Sequence, residues 1–292
     1  MRNKFKGTGV AIVTPFKEDF SIDYTAYEQL INYQIEGGVD YILVLGSTGE
    51  AITISEEEQK KLIAFAVKTI AGRVPIMLGI SGNDTHAVVE RIKNTDFSGI
   101  DSLLSASPAY NKPSQQGIYL HFKAIAEACP VPVFAYNVPS RTAKNIEVET
   151  VIKMANELPN IVGIKEASGN PEQIMQIIKT KPQNFLVLSG DDLFALPFIA
   201  LGCEGLISVI ANAYPKETSS MVKAAMKNDF DAARVFHYSL EPMVKLIFAE
   251  GNPSGIKAVL HQKSLCGKHP RLPLTAISEN LTQEIAEVMK TI

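Results

Sequence analysis

The sequence predicts a closed (β/α)8, TIM-type barrel of the α/β class carrying a helical appendage at its C-terminal end. Three observations point there. Eight short runs rich in β-branched residues recur along the chain, with starts roughly 20 to 35 residues apart, the length of a strand plus a returning helix. Longer segments with helical patterning separate them, and eight such units close into a barrel more readily than they open into a doubly wound sheet. The first run leads into Thr14-Pro15-Phe16, where a dinucleotide-binding sheet would place a G-x-G-x-x-G turn.

The expected strands span 9–15, 41–46, 74–80, 102–106, 131–136, 161–165, 185–189 and 205–209. Each is a short apolar run without helical periodicity, as a strand buried on both faces requires. Helix starts fall between them. Ser55-Glu56-Glu57-Glu58 is a capping box, Asp84 or Thr85 can cap the third helix, and Pro171 suits a first helical turn. After about residue 228 the strand signal stops, and 229–250, 253–265 and 278–292 carry helical patterns. The expected division is a catalytic barrel over 1–228 and a helical region over 229–292, the latter packed on the barrel and useful for subunit contacts. Its Val, Leu and Ile content argues against a solvated tail.

The chain has 292 residues, 46% of them hydrophobic, enough to bury one large core. A net charge of −3 without basic runs argues against nucleic acid as a partner. No stretch approaches the ~18 uninterrupted apolar residues of a membrane span, and Met1-Arg2-Asn3-Lys4-Phe5-Lys6 lacks the apolar core of a signal peptide. Cys129, Cys203 and Cys266 are widely spaced and odd in number, which reads as reduced packing residues. A soluble cytoplasmic protein is expected. The five histidines form no ligand-spaced pair, which disfavours a metal-dependent aldolase; no metal and no cofactor is expected.

Lys165 is the most informative residue. It ends the apolar run Ile161-Val162-Gly163-Ile164-Lys165, and lysine is almost never buried without a partner. Strand alternation puts Ile161, Gly163 and Lys165 on one face and Val162 and Ile164 on the other, so that Gly163 is expected to leave a slot for the Lys165 stem. An ammonium held there loses hydration, its pKa falls, and a free amine becomes populated near neutral pH. Such an amine can attack a carbonyl to form a Schiff base. The plainer reading is a frayed strand end reaching water, or a pair with Glu166.

In this fold the active site lies at the C-terminal ends of the strands. Strand two ends there in Gly46-Ser47-Thr48-Gly49-Glu50, whose hydroxyls and amides can gather around a carboxylate. Strand four runs into Tyr110-Asn111-Lys112-Pro113, and strand five into Tyr136-Asn137-Val138-Pro139-Ser140-Arg141. Tyr136 alone reads as a packing aromatic, but beside a buried lysine its hydroxyl can shuttle protons. The Arg141 fork suits a carboxylate, with a surface ion pair as the plainer reading. Strand seven ends in Ser189-Gly190-Asp191-Asp192 and strand eight in Ser208. The two aspartates occupy the position where phosphosugar barrels bind phosphate, so small unphosphorylated carboxylates are the expected substrates.

With GSTGE (46–50), SPAYNKPSQQG (107–117), YNVPSRT (136–142), GIKEASGN (163–170), LSGDD (188–192), GLISV (205–209) and NPSGIK (252–257) in register with the strands, the chain resembles the dihydrodipicolinate synthase and N-acetylneuraminate lyase superfamily. The likeness runs from Gly7 to the 271–275 stretch and is strongest to the dihydrodipicolinate synthase branch. It implies a Schiff-base enzyme condensing pyruvate with L-aspartate 4-semialdehyde. It implies further that Lys165 forms the imine, that Ser47, Tyr136 and a neighbouring subunit's Tyr110 relay protons, and that Thr48 binds the pyruvate carboxylate. Arg141 would hold the semialdehyde carboxylate, Gly190 and Ile207 would line the site, and the assembly would be a homotetramer, a dimer of dimers. Two features depart from the branch: its threonine is Ser47 here, and its tyrosine pair is reduced to Ala109-Tyr110. The alternative within the superfamily is a pyruvate-dependent sugar-acid aldolase acting on N-acetylneuraminate or 2-keto-3-deoxygluconate, which would receive a polyol where Arg141 offers a carboxylate site.

Overall fold

Eight parallel strands pair each with the next, and the last returns to the first, closing a barrel in the computed structural model, which describes residues 2–292. They are β1 (Gly7–Ala11), β2 (Tyr41–Val44), β3 (Ile76–Gly79), β4 (Ser102–Ala106), β5 (Val133–Asn137), β6 (Ile161–Glu166), β7 (Leu186–Ser189) and β8 (Gly205–Ser208). Every expected strand is present. The first begins earlier than expected, with Gly7 paired to Gly205 of β8. It also ends earlier, because the Val13 amide donates to Asn212 Oδ1 at 3.0 Å rather than to a strand, and Pro15 has no amide to offer.

The helix starts follow the expected chemistry. Ser55 Oγ accepts from the Glu58 amide at 3.3 Å while the Glu58 carboxylate accepts from the Ser55 amide at 3.0 Å, opening the helix Glu56–Ile70. Asp84, rather than Thr85, caps Thr85–Lys93 through the His86 amide. Pro171 opens Pro171–Thr180 behind an Asn170 cap.

Side chains divide into two cores. One fills the barrel itself, with Leu43, Met77, Leu104, Phe134, Tyr136, Val162, Leu188 and Ile207 among its members. Phe5 closes its lower end, its ring edge-on to Tyr41 and Phe134. The other core lies between the strands and the surrounding helices.

Strand β6 departs from simple alternation. Val133 pairs with Ile161 and the next residue, Phe134, with Gly163, so β6 carries one extra residue at this step. The bulge turns Val162 into the barrel and leaves both Ile161 and Ile164 in the outer core. The expected faces of Ile161 and Val162 are therefore exchanged. Gly163 does face inward, but the space over it is filled by Phe134: a Cβ there would lie 2.6 Å from the ring.

Beyond β8, the helices Pro215–Met226, Phe230–Ala249, Ser254–Gln262 and Glu279–Met289 follow. From Ser254 to Leu260 every residue of the third is buried, so this segment is interior structure and not a tail. Among the described residues no helix is long and apolar enough to cross a membrane.

Candidate active site

The register of β5 on β6 pairs Tyr136 directly with Lys165. Lys165 is 5% exposed, and its Nζ lies 4.4 Å from the centre of the Tyr136 ring. Among the described residues no carboxylate stands within ion-pair distance of it. Burial pulls its pKa down from the ordinary lysine value to about 8, with Asp192 pulling upward and Arg141 downward by smaller amounts. Burial likewise pushes the Tyr136 phenol up to about 12, so it holds its proton at neutral pH.

The pairing of Lys165 with Glu166 does not occur. Successive strand residues point to opposite sides, and Glu166 turns outward, accepting from Asn137 Nδ2 at 3.0 Å, Gln173 Nε2 at 3.1 Å and the Ser168 amide at 2.7 Å. This outer network fixes the ends of β5 and β6 without touching the barrel mouth.

Gly190, not Gly163, makes room for the lysine stem. A Cβ on Gly190 would lie 2.8 Å from Lys165 Cε and 3.1 Å from its Cγ. Ile207 is buried inside the barrel, one residue from the end of β8.

Asp191 and Asp192 divide their work. Asp191 caps the Leu193 and Phe194 amides. Asp192 is buried and turns to β8, accepting from Ser208 Oγ at 2.5 Å, the Val209 amide at 2.8 Å and the Ile210 amide at 3.2 Å. The amides after strand eight, which hold phosphate in other barrels of this class, are thus taken by the protein's own carboxylate. That is a firmer argument against phosphorylated substrates than the loop charge alone. Burial raises Asp192 to about 6 despite these three donors.

The GSTGE loop follows β2. Thr48 is buried and its Oγ1 accepts from Asn252 Nδ2 at 2.9 Å, whereas Ser47 is exposed. Thr14 Oγ1 donates to the Gly49 carbonyl at 2.7 Å. Glu50, left-handed at φ 55°, forms a fully buried ion pair with Lys257 and accepts from the Arg271 amide at 2.8 Å. The sequence reading gave Glu50, Asn252 and Lys257 no role, although Lys257 interrupts an apolar run, the same signal that marks Lys165.

Arg141 sits in the short helix Pro139–Thr142, exposed and without an ion pair among the described residues, so the surface-pair reading fails. It is near enough to depress the pKa of both Lys165 and Tyr136. Tyr110 is 90% exposed, with a left-handed backbone at φ 67°. The chain itself therefore brings Lys165, Tyr136, Gly190 and Ile207 into or against the barrel's inner face, sets Thr48 on a braced loop, and leaves Ser47, Arg141 and Tyr110 open to solvent.

Chemically, this is an unpaired, partly deprotonated amine beside a protonated phenol, with the amides after β8 occupied by Asp192. Residues 4–292 match the model of the Dihydrodipicolinate synthetase family. A 4-hydroxy-tetrahydrodipicolinate synthase from Flavobacterium psychrophilum is 49% identical over 281 residues, covering 96% of each chain. The crystal structure of dihydrodipicolinate synthase from Aquifex aeolicus superposes with a TM-score of 0.95 at 43% identity, over 98% of this chain and 97% of that one. The chloride-inhibited dihydrodipicolinate synthase from Acinetobacter baumannii, complexed with pyruvate, gives a TM-score of 0.95 at 37% identity over 98% of each chain.

Proposed function

The chain belongs to the dihydrodipicolinate synthetase family, and we infer that Lys165 is the amine through which it works. The activity is that of a lyase condensing pyruvate with L-aspartate 4-semialdehyde to 4-hydroxy-tetrahydrodipicolinate, the committed step of lysine and diaminopimelate biosynthesis. The observation that carries the role of Lys165 is its burial without an anionic partner against Tyr136.

The free amine of Lys165 adds to the pyruvate ketone, and loss of water gives an imine. The imine makes the methyl group acidic, and loss of one of its protons gives an enamine. The enamine carbon attacks the aldehyde, whose oxygen takes up a proton. The amino group of the condensed substrate then adds to the imine carbon and expels Lys165, closing the ring. Tyr136 suits the proton transfers, since its phenol is protonated and its ring lies against the lysine amine. Ser47 extends the relay at the mouth, and Thr48 with its loop amides receives the pyruvate carboxylate. Arg141, unpaired and exposed, receives the carboxylate of the semialdehyde. Gly190 and Ile207 shape the wall.

Tyr110 completes the relay from a neighbouring subunit. The support is its exposure and its lack of any side-chain partner among the described residues. That arrangement needs at least a dimer; we assign the assembly as a homotetramer, a dimer of dimers, and place it in the cytoplasm, where a biosynthetic enzyme meets pyruvate. Substrate competition tests the function. Pure protein given pyruvate should consume L-aspartate 4-semialdehyde, while N-acetylneuraminate and 2-keto-3-deoxygluconate should pass uncleaved; cleavage of either in preference would favour a sugar-acid aldolase.

A further inference from the structure

We propose that Asn252 is a positioning residue for the keto acid carboxylate, acting by fixing the direction in which Thr48 donates its hydroxyl proton. The inference rests on the reading of Thr48 given above and deepens it.

A threonine hydroxyl has one proton and two acceptor lone pairs. Asn252 Nδ2 donates to Thr48 Oγ1 at 2.9 Å, with both residues buried. In that bond the hydroxyl is the acceptor, so its only proton is free to be given to something else. A carboxylate, which accepts and never donates when ionised, is the complementary ligand. Among the described residues the other end of the amide, Oδ1, is buried and meets no donor, so the bond to Thr48 is the only one the Asn252 side chain makes.

The rest of the loop is held independently of this contact. Thr14 holds the Gly49 carbonyl, Lys257 and the Arg271 amide hold the Glu50 carboxylate, and Lys257 Nζ is itself tied to the His269 carbonyl at 3.1 Å. Among the described residues, Asn252 alone bonds a hydroxyl of the GSTGE segment. Removing its side chain leaves the backbone supports in place and changes the polarity of one group.

The test uses donor and acceptor logic. Asn252→Asp keeps the shape but offers only acceptors, so the Thr48 proton turns to it and an added negative charge stands behind the carboxylate site. Asn252→Ala removes the donor and leaves the Thr48 proton free. The KM for pyruvate should rise about ten- to hundred-fold in Asn252→Asp, the scale of one charge-assisted hydrogen bond, and rise less in Asn252→Ala, with kcat at saturating pyruvate and the KM for the semialdehyde changing little in both. Borohydride trapping of hydroxyacetone, a ketone without a carboxylate, should need the same concentration in wild type and Asn252→Asp. Should Asn252→Asp fold poorly, the pair Asn252→Ala and Thr48→Val decides, since the double variant should lose no more pyruvate affinity than Thr48→Val alone.

An unchanged pyruvate KM in Asn252→Asp, equal losses for pyruvate and hydroxyacetone, or additive effects with Thr48→Val would overturn the proposal. Wild-type protein that gives no Lys165 adduct with either ketone would instead remove the reading on which it stands.

Discussion

Nζ of Lys165 lies 4.4 Å from the centroid of the Tyr136 ring, on strands whose register pairs the two residues directly. The ring face favours an ammonium modestly, while burial disfavours it strongly, and burial wins: the lysine pKa falls to about 8. Compared with an ordinary lysine, the free amine at neutral pH is enriched roughly 300-fold.

The pH dependence follows with a definite sign. Below about 8 the amine is protonated and inert, and it becomes a nucleophile as pH rises through that value. Tyr136, raised to about 12, keeps its proton throughout and contributes no falling limb in this range. Imine formation at limiting pyruvate, followed by rapid quench, should rise tenfold per pH unit up to about 8 and level above it. A rise continuing through pH 10 would mean that Lys165 titrates as an exposed lysine does.

The two glycines near the lysine should fail in different ways. Gly190→Ala places a Cβ 2.8 Å from Lys165 Cε, so the amine must move, and imine formation should fall at least about ten-fold, as small displacements of reacting groups do. Gly163→Ala instead meets the Phe134 ring and the Leu186 carbonyl at 2.6 and 2.7 Å, an overpacking that should cost about 1–3 kcal/mol. Thermal unfolding and trapping rates on both variants check this. Loss of trapping in Gly163→Ala with stability intact would reverse the assignment.

Arg141→Ala should weaken use of the semialdehyde while leaving pyruvate trapping nearly intact. A lost charge-assisted carboxylate contact is worth roughly 1.5–3 kcal/mol, about ten- to hundred-fold in the semialdehyde KM. Lost trapping with normal semialdehyde use would contradict the role.

Much of this candidate site was legible in the sequence because it is placed at strand ends. A cation closing an apolar run, a tyrosine on the preceding strand and the GSTGE loop each stand where the barrel presents them, and Lys165, Tyr136 and Thr48 are buried as those positions require. What stayed hidden depended on contacts distant in sequence or on broken periodicity. The bulge at Val162 exchanges two faces of β6, and a strict two-residue alternation cannot foresee an inserted residue. The bond from Asn252 to Thr48 spans 204 positions, as the Lys257–Glu50 pair spans 207. Asp192 reads in sequence as loop charge, yet three donors on the β8 side draw it inward.

Tyr110 gives a test of how the sites are assembled. Tyr110→Phe and Lys165→Ala chains, each inactive alone, should recover part of the activity when mixed, because a hybrid contains one site with its own Lys165 and an intact Tyr110 from its neighbour. Hybrids verified by native mass spectrometry that show no recovery would place the whole site within one chain.

The most direct measurement is borohydride reduction of the pure protein with pyruvate, followed by peptide mass mapping. One reduced adduct per chain, on Lys165, is the expected result, and Lys165→Arg should give none, because a guanidinium stays protonated and cannot act as the amine. An adduct on a different lysine, or an active enzyme that yields no adduct, would contradict the account.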